Sequence, residues 1–229
     1  SHSAMQENPT PFTAGDIFFT THKGAYHISK LLRFDPEFEA YHVMMYKPID
    51  HEPTAADLPA LQLIMLHVPI DLASFENPTW IAHSPVTDND LAGYREYILQ
   101  THNVPELIRL AKEHYERAYY LGEEKKHEEA IAQYTLAIEL IAGFFEAIDN
   151  RAFTKMDLGR WQEAIADFEL SLTVEPNSVL AEFSIGECYL KMKNIPMAIQ
   201  QFEKVLKIDP NHAHGQQFLA RAKALGGFA

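Results

Sequence analysis

Hydrophobic side chains recur along this chain with two different periods, and the change between them divides it in two. In the first part apolar residues alternate with polar ones, as at Tyr26 and Ile28, which is typical of β-strands with one buried face. From Glu106 onward the apolar positions follow the spacing of an α-helix. We therefore expect a mostly-β module over residues 10–104 and an all-helical module over residues 105–229.

The first module contains four or five short candidate strands followed by one helix. The strand segments are separated by turn signals at Gly24 and Asp35-Pro36, and they read GDIFFTT, AYHISKLLRF, FEAYHVMMYKP, LQLIMLHVPI and TWIAHSPV. The third segment is apolar on both faces, which indicates a central or covered strand. DNDLAGYREYILQ follows as a helix, with Asp88 or Asn89 as its cap. The pattern predicts a small, strongly curved β-sheet or a partly open β-barrel.

A long polar connection lies between the third and fourth strands, over residues 47–59. It holds three prolines and three acidic residues, so we expect an exposed loop long enough to be functional. Its carboxylates, on Asp50, Glu52 and Asp57, form a candidate partner-binding group.

The helical module repeats itself every 34 residues. The segments HEEAIAQYTLAIEL, WQEAIADFELSLTVEP and IPMAIQQFEKVLKIDP align on Ala130, Ala164 and Ala198 without a gap. This period is the one expected of stacked helix–turn–helix units. Three repeats follow, at about 111–144, 145–178 and 179–212, and residues 213–225 are predicted to form a helix that covers the last apolar face.

These repeats resemble the tetratricopeptide family, whose pattern requires small residues where two helices approach closely. Three departures stand out. Ala142 takes the place of a closing proline, which predicts that the helix runs on through residues 141–145. Lys155 replaces a large apolar residue, and Val205 replaces a small one. The resemblance implies an all-α superhelix of three helix pairs plus the capping helix, and the whole chain is then of the α+β class.

In this family partners usually bind the concave face, which is lined by the first helix of each repeat. Carried over to this sequence, the face is aromatic and acidic, with rings for an apolar segment and carboxylates for Lys or Arg. Rings at helical spacing can equally belong to the core, Phe183 in particular. The predicted binding residues are Lys112, Tyr115, Glu116, Tyr119, Glu146, Asp149, Asn150, Phe153, Phe183 and Glu187.

One subclass of these repeat proteins grips the C-terminal carboxylate of cytosolic heat-shock chaperones with Lys, Asn and Arg side chains. The corresponding positions here are Tyr115, Tyr119, Asn150, Leu180 and Ser184, and only Asn150 matches. A carboxylate would meet an acidic groove, so the sequence argues against this partner.

A second resemblance concerns the first module. The run GDIFFTTHKGAYHISKLLRFDPEFEAYHVMMYKP resembles barrel-like domains of some bacterial immunity proteins, which neutralise a toxin by binding it. It implies a function in protein binding.

Charge and composition narrow the function further. The net charge is −13, which disfavours nucleic acid and permits a partner with a basic surface. No run of about 18 apolar residues is present, and no secretory signal is visible, so we expect no membrane partner. A single cysteine, Cys188, excludes an internal disulfide and suits a reducing compartment, which predicts a cytoplasmic protein. We expect the Cys188 side chain to be buried and to pack as a small apolar residue.

Catalytic and metal-binding signatures are missing from the sequence. Eight of the twelve histidines fall in residues 1–104, but none has the close pairing typical of zinc ligands. No nucleophile elbow, P-loop or dinucleotide fingerprint occurs. We therefore expect no cofactor, no metal and no catalytic residue, although an enzyme that uses His42 or His67 stays open as a minor alternative.

The leading hypothesis from sequence is a non-catalytic protein-binding protein, an immunity protein that neutralises a toxin. Its alternative is a scaffold or co-chaperone-like adaptor that binds peptide segments in the concave groove. The opening SHSAM resembles a cloning remnant, and residues 1–9 are predicted to be a disordered lead. The sequence leaves the oligomeric state open.

Overall fold

The structure, a computed structural model, describes residues 12–227, so the prediction for residues 1–9 lies outside its described part. The chain divides into two compact units, one ending at Asn103 and the other beginning at Val104. Each unit is described by itself below.

The first unit is an antiparallel five-stranded open sheet with one helix. Its strand order is β4-β3-β2-β1-β5, so the last strand returns to pair with the first. This confirms the predicted small β-module. Of the two predicted forms, a curved sheet and a partly open barrel, the structure has the open sheet. The elements are β1 (Asp16–His22), β2 (Ala25–Asp35), β3 (Ala40–Tyr46), β4 (Leu63–Asp71), β5 (Thr79–His83) and α1 (Ala92–Thr101). Short 3-10 turns cover residues 55–60 and 72–74.

Side chains cover both faces of the sheet. One face buries Phe18, Leu31, Tyr41 and Val43 around the ring of Phe12, and the opposite face buries a second cluster of Ile17, Phe19, Ile28 and Ile81. β3 lies between β2 and β4, which confirms the interpretation of the third segment as a covered strand. The helix begins at Ala92 rather than next to Asp88 or Asn89, because residues 87–90 form a hydrogen-bonded turn first.

Hydrogen bonds to the Asp16 side chain link the start of β1 to β5. Its carboxylate accepts hydrogen bonds from the Thr13 backbone N–H at 2.8 Å, from Trp80 Nε1 at 3.2 Å and from His83 Nδ1 at 2.9 Å. Burial alone would raise the pKa of Asp16, but these hydrogen bonds outweigh it and hold the pKa below its ordinary value. Gly15 beside it has φ 97°, and a Cβ there would lie 2.7 Å from the Ser84 carbonyl oxygen.

The second unit consists of helices packed in chain order, each antiparallel pair followed by the next, with α8 as the last. This arrangement confirms the predicted all-α repeat module with a capping helix. The helices are α2 (Val104–Glu123), α3 (His127–Leu140), α4 (Phe145–Asp157), α5 (Trp161–Val174), α6 (Val179–Lys191), α7 (Ile195–Ile208) and α8 (Ala213–Leu225).

The prediction that the second helix of repeat one runs on through residues 141–145 is wrong. α3 ends at Leu140, and Ile141 adopts an extended conformation. The Phe144 N–H then donates to the Ile141 carbonyl, which closes a turn that contains Gly143. A glycine-containing turn therefore ends this helix without the proline that the repeat pattern led us to expect.

Small residues sit where helices cross, as the repeat pattern requires. Ala118, Ala130, Ala152 and Ala164 are fully buried. At Gly186 the approach is closest, because a Cβ built there would lie 2.5 Å from a ring carbon of Phe202.

Lys155, which departs from the family pattern, belongs to a partly buried ion cluster. Arg151 donates two hydrogen bonds to the carboxylate of Asp167, at 2.9 and 2.7 Å, and a third to Thr135 Oγ1 at 3.1 Å. Lys155 Nζ lies 2.9 Å from the same carboxylate. The polar residue is therefore accommodated by a carboxylate on α5 that forms ion pairs with two cations from α4.

Candidate functional site

The predicted binding residues occupy the first helices of the three repeats, on α2, α4 and α6. Several of them are open to solvent. Tyr119 is 55% exposed, Leu180 next to the predicted set is 53% exposed, and Lys112, Glu116 and Glu146 are also exposed. Aromatic residues are enriched at protein interfaces, so the exposed ring of Tyr119 is a candidate contact residue.

Tyr115 and Asn150 connect α2 with α4. Asn150 Nδ2 donates a hydrogen bond of 2.8 Å to the Tyr115 hydroxyl. The Tyr115 ring is held by Phe144, stacked at a centroid distance of 5.1 Å, and by Tyr134 at 5.8 Å. Burial raises the pKa of Tyr115, and the charge of Glu146 raises it further. These contacts fix the position of the hydroxyl.

The rings of Phe153 and Phe183 are half-buried and contribute to packing. Phe153 contacts Phe168 edge-on at 5.1 Å. Phe183 packs against Phe202 at 5.6 Å and Phe218 at 5.1 Å. These two positions therefore support the surface from below, which is the core role left open for Phe183 by the sequence.

Two carboxyl groups on these helices are poorly hydrated. Asp149 is buried, with 6% of its surface exposed. Burial raises the pKa of Asp149, and the nearby Glu146 adds to the shift while Ser171 opposes it. Burial likewise raises the pKa of Glu187, against the effects of Lys191 and His214. A cation that bound beside either group would stabilise its charged form.

The sequence reasoning missed the contribution of α8. Its Phe218 and Arg221 line a cavity of about 230 Å³ with Glu187, Leu190, Lys191 and Leu225. Arg221 lies over the Phe218 ring at 5.9 Å. Extending the 34-residue register by one more helix would have pointed to His214, Phe218 and Arg221, since they correspond to Leu180, Ser184 and Glu187 of α6.

The acidic loop is more ordered than its composition suggests. His51 bridges Asp50 and Asp57, at 3.2 and 2.9 Å. Asp57 also accepts from the Thr54 backbone N–H. The hydrogen bond with His51 lowers the pKa of Asp57, and hydrogen bonds with both carboxylates raise the pKa of His51. Glu52 is exposed, so within this group it offers the carboxylate that His51 does not engage.

His42 and His67 come together in the first unit. His42 Nδ1 and His67 Nε2 lie 2.8 Å apart with their rings stacked, beside Tyr94 and Tyr97. Burial, with a further effect of His42, lowers the pKa of His67 to about 4. Among residues 12–227, no three His, Cys, Asp or Glu side chains come together as metal ligands would. In the same described range no helix is long and apolar enough to span a membrane.

Comparison with known proteins identifies the repeats. Residues 179–212 match the family model described as Tetratricopeptide repeat. A mouse protein named DnaJ homolog subfamily C member 7 is 33% identical over 108 residues, which are 47% of this chain and 22% of that protein. A soybean (Glycine max) protein named Hsp70-Hsp90 organizing protein 1 is 30% identical over 104 residues, 45% of this chain and 18% of that protein.

A solved structure also resembles the chain. It is titled First TPR of Spaghetti (RPAP3) bound to HSP90 peptide SRMEEVD, and it is 20% identical with a TM-score of 0.49, covering 52% of this chain and 95% of that one. The family model thus matches the third of the three repeats that the 34-residue period predicts. The chain spans only about a fifth of the length of the two named relatives.

Proposed function

We propose that the second unit binds an extended segment of a protein partner along its first-helix surface. This surface comprises the solvent-exposed side chains of α2, α4, α6 and α8 on the side that carries Tyr119 and Leu180. The protein would then be a non-catalytic adaptor of the co-chaperone-like kind. The observation that carries this proposal is the exposure of Tyr119 and Leu180 on that surface, at 55% and 53%, beside exposed carboxylates.

The relatives favour the adaptor over the immunity protein. Tetratricopeptide repeats are present, and the two named relatives carry chaperone terms in their names. Nothing in the comparisons supports toxin neutralisation, so the hypothesis placed first from sequence gives way to its alternative. A cytoplasmic location stays the prediction drawn from the single cysteine.

The charge of the surface indicates a partner segment with basic side chains. Lys112 is the only basic residue among the ten predicted positions, whereas Glu116, Glu146, Asp149 and Glu187 are acidic. Cations in an extended peptide would find opposite charge there, and an acidic tail would be repelled. The protein would therefore differ in specificity from a repeat domain that binds a peptide such as SRMEEVD, the ligand named in the RPAP3 structure.

Selection from a random peptide library, displayed against the full chain, tests this proposal. We expect captured peptides to be enriched in Lys and Arg, with apolar residues between them. Tyr119→Ala should weaken the best peptide at least about tenfold, the effect of losing one aromatic contact residue. The matched control is Phe38→Ala, which removes a ring that is 65% exposed in the first unit. Equal binding by the wild type and Tyr119→Ala would contradict the proposal.

A further inference from the structure

Four side chains from α2 and α4 form a cluster that points to a specific ligand group. Tyr115 and Tyr119 lie one helical turn apart on α2, and Glu146 and Asn150 lie one turn apart on α4. Both Glu146 and Tyr119 are near enough to Tyr115 to raise its pKa, and Asn150 is hydrogen-bonded to it. One hydrogen bond, from Asn150 to Tyr115, thus joins the two helices in this cluster, and Glu146 and Tyr119 lie near it.

The hydrogen bond to Tyr115 gives the Asn150 amide a defined orientation. Since Nδ2 donates to the Tyr115 hydroxyl, Oδ1 points away from that hydroxyl within the amide plane. No hydrogen bond to this Oδ1 is formed within residues 12–227, and the side chain is only half-buried. Asn150 therefore presents an acceptor to a ligand, next to the acceptor oxygens of Glu146.

The remaining features of the cluster also favour a cation. The Tyr119 ring is exposed one helical turn after Tyr115 on α2. The face of such a ring attracts an ammonium or guanidinium group. Asp149, adjacent to Asn150 on α4, is a buried carboxyl group whose charged form is disfavoured by burial and by the nearby Glu146. An arriving positive charge would offset the repulsion between Asp149 and Glu146.

We propose that Tyr115, Tyr119, Glu146 and Asn150 form a subsite for one arginine or lysine side chain of the bound segment. Tyr115 acts as a positioning residue, because its hydroxyl sets the amide orientation while its ring stays packed on Phe144. The subsite selects a positively charged hydrogen-bond donor and rejects a carboxylate. This inference rests on the proposed function and adds to it the location and the chemistry of one specificity-determining contact.

Titration of the ¹⁵N-labelled full chain with N-acetyl-arginine methylamide, followed by NMR, tests the subsite without knowledge of the natural partner. We expect saturable shifts of the Asn150 side-chain amide, and none with the isosteric neutral citrulline analogue. Glu146→Gln should weaken binding about two- to fivefold, as expected for an exposed ion pair. Tyr115→Phe should weaken it by a similar factor and broaden the Asn150 amide signals, because the amide loses its fixed orientation.

Tyr120→Phe is the matched control, since Tyr120 is a 63% exposed tyrosine on the same helix, and it should bind as the wild type does. Equal shifts with citrulline, shifts confined to other residues, or unchanged binding by Tyr115→Phe would each overturn the inference. The peptide selection described above separates the two levels. If it yields peptides that require Tyr119 while arginine does not bind at Asn150, the subsite is wrong and the adaptor stands. If it yields no such peptide, the adaptor itself fails.

Discussion

Replacement of Gly186 by alanine should show how closely α6 and α7 pack. The new Cβ would lie 2.5, 2.8 and 2.9 Å from three carbons of the Phe202 ring, against the 3.5–4.0 Å or so at which carbon atoms attract each other. The ring has little room to yield, because it is fully buried and contacts Phe183 and Phe218. Overpacking of this kind costs about 1–3 kcal/mol.

A gain in helix propensity of about 1 kcal/mol accompanies the same substitution and must be separated from the clash. Gly122 provides the control, because it also lies in a helix, and a Cβ there meets nothing within 4 Å. We expect Gly122→Ala to stabilise the protein by up to about 1 kcal/mol. The difference between the two variants, about 1–3 kcal/mol in the free energy of unfolding, then measures the overlap with Phe202.

Urea denaturation followed by circular dichroism at 222 nm gives both values. The double variant Gly186→Ala/Phe202→Leu should recover part of the loss, because the smaller side chain vacates the space occupied by the ring. If Gly186→Ala stabilises the protein as much as Gly122→Ala does, the close approach of α6 and α7 is not as described, and the reasoning is refuted.

Three further predictions concern buried polar groups. Asp167→Leu should lower the free energy of unfolding by about 3–5 kcal/mol in urea titrations, because Arg151 and Lys155 would remain without their counter-charge; a loss below about 1 kcal/mol would contradict this. Cys188 is fully buried, and burial raises the pKa of its thiol to about 12. A thiol reagent at pH 8 should therefore modify Cys188 only as fast as the protein unfolds. Rapid reaction of the native protein would disprove its burial. His67, with its pKa of about 4 in the fold and about 6.5 when unfolded, takes up its proton more readily in the unfolded chain. Stability should therefore be full above pH 6.5 and fall towards pH 4, by about 1–2 kcal/mol at pH 5 once partial exposure is allowed for. Urea midpoints of the wild type and of His67→Gln at pH 7 and pH 5 check this, and equal pH dependence of the two would exclude His67 as the cause.

The helical unit could be predicted from sequence because its determinants are local. Helical periodicity and small residues at a fixed 34-residue spacing specify each helix pair and its packing on the next. The exception is the end of α3. There, the extended conformation of Ile141 and a turn through Gly143 end the helix. The repeat pattern could not predict this ending, because it expects a proline at this place.

The contacts between distant residues could not be predicted in the same way. His42 and His67 meet because β3 pairs with β4 so that His42 lies opposite Pro69, two residues from His67, and alternation within one strand does not reveal its register against another. The pairing of Lys155 with Asp167 likewise depends on the crossing of α4 and α5. On the first-helix surface the sequence indicated the residues of three helices, but not the hydrogen bond from Asn150 to Tyr115 that orients the amide.

The most direct test of the central claim is photo-crosslinking in source cells, with p-benzoylphenylalanine in place of Tyr119 and, as the control, in place of Phe38. Both positions are exposed, one on the first-helix surface and the other in the first unit. Mass spectrometry would identify the crosslinked segments. Our account predicts that the probe at Tyr119 captures segments of partner proteins rich in Lys or Arg, and that the probe at Phe38 does not. Partner capture at Phe38 alone, or acidic segments at Tyr119, would contradict it.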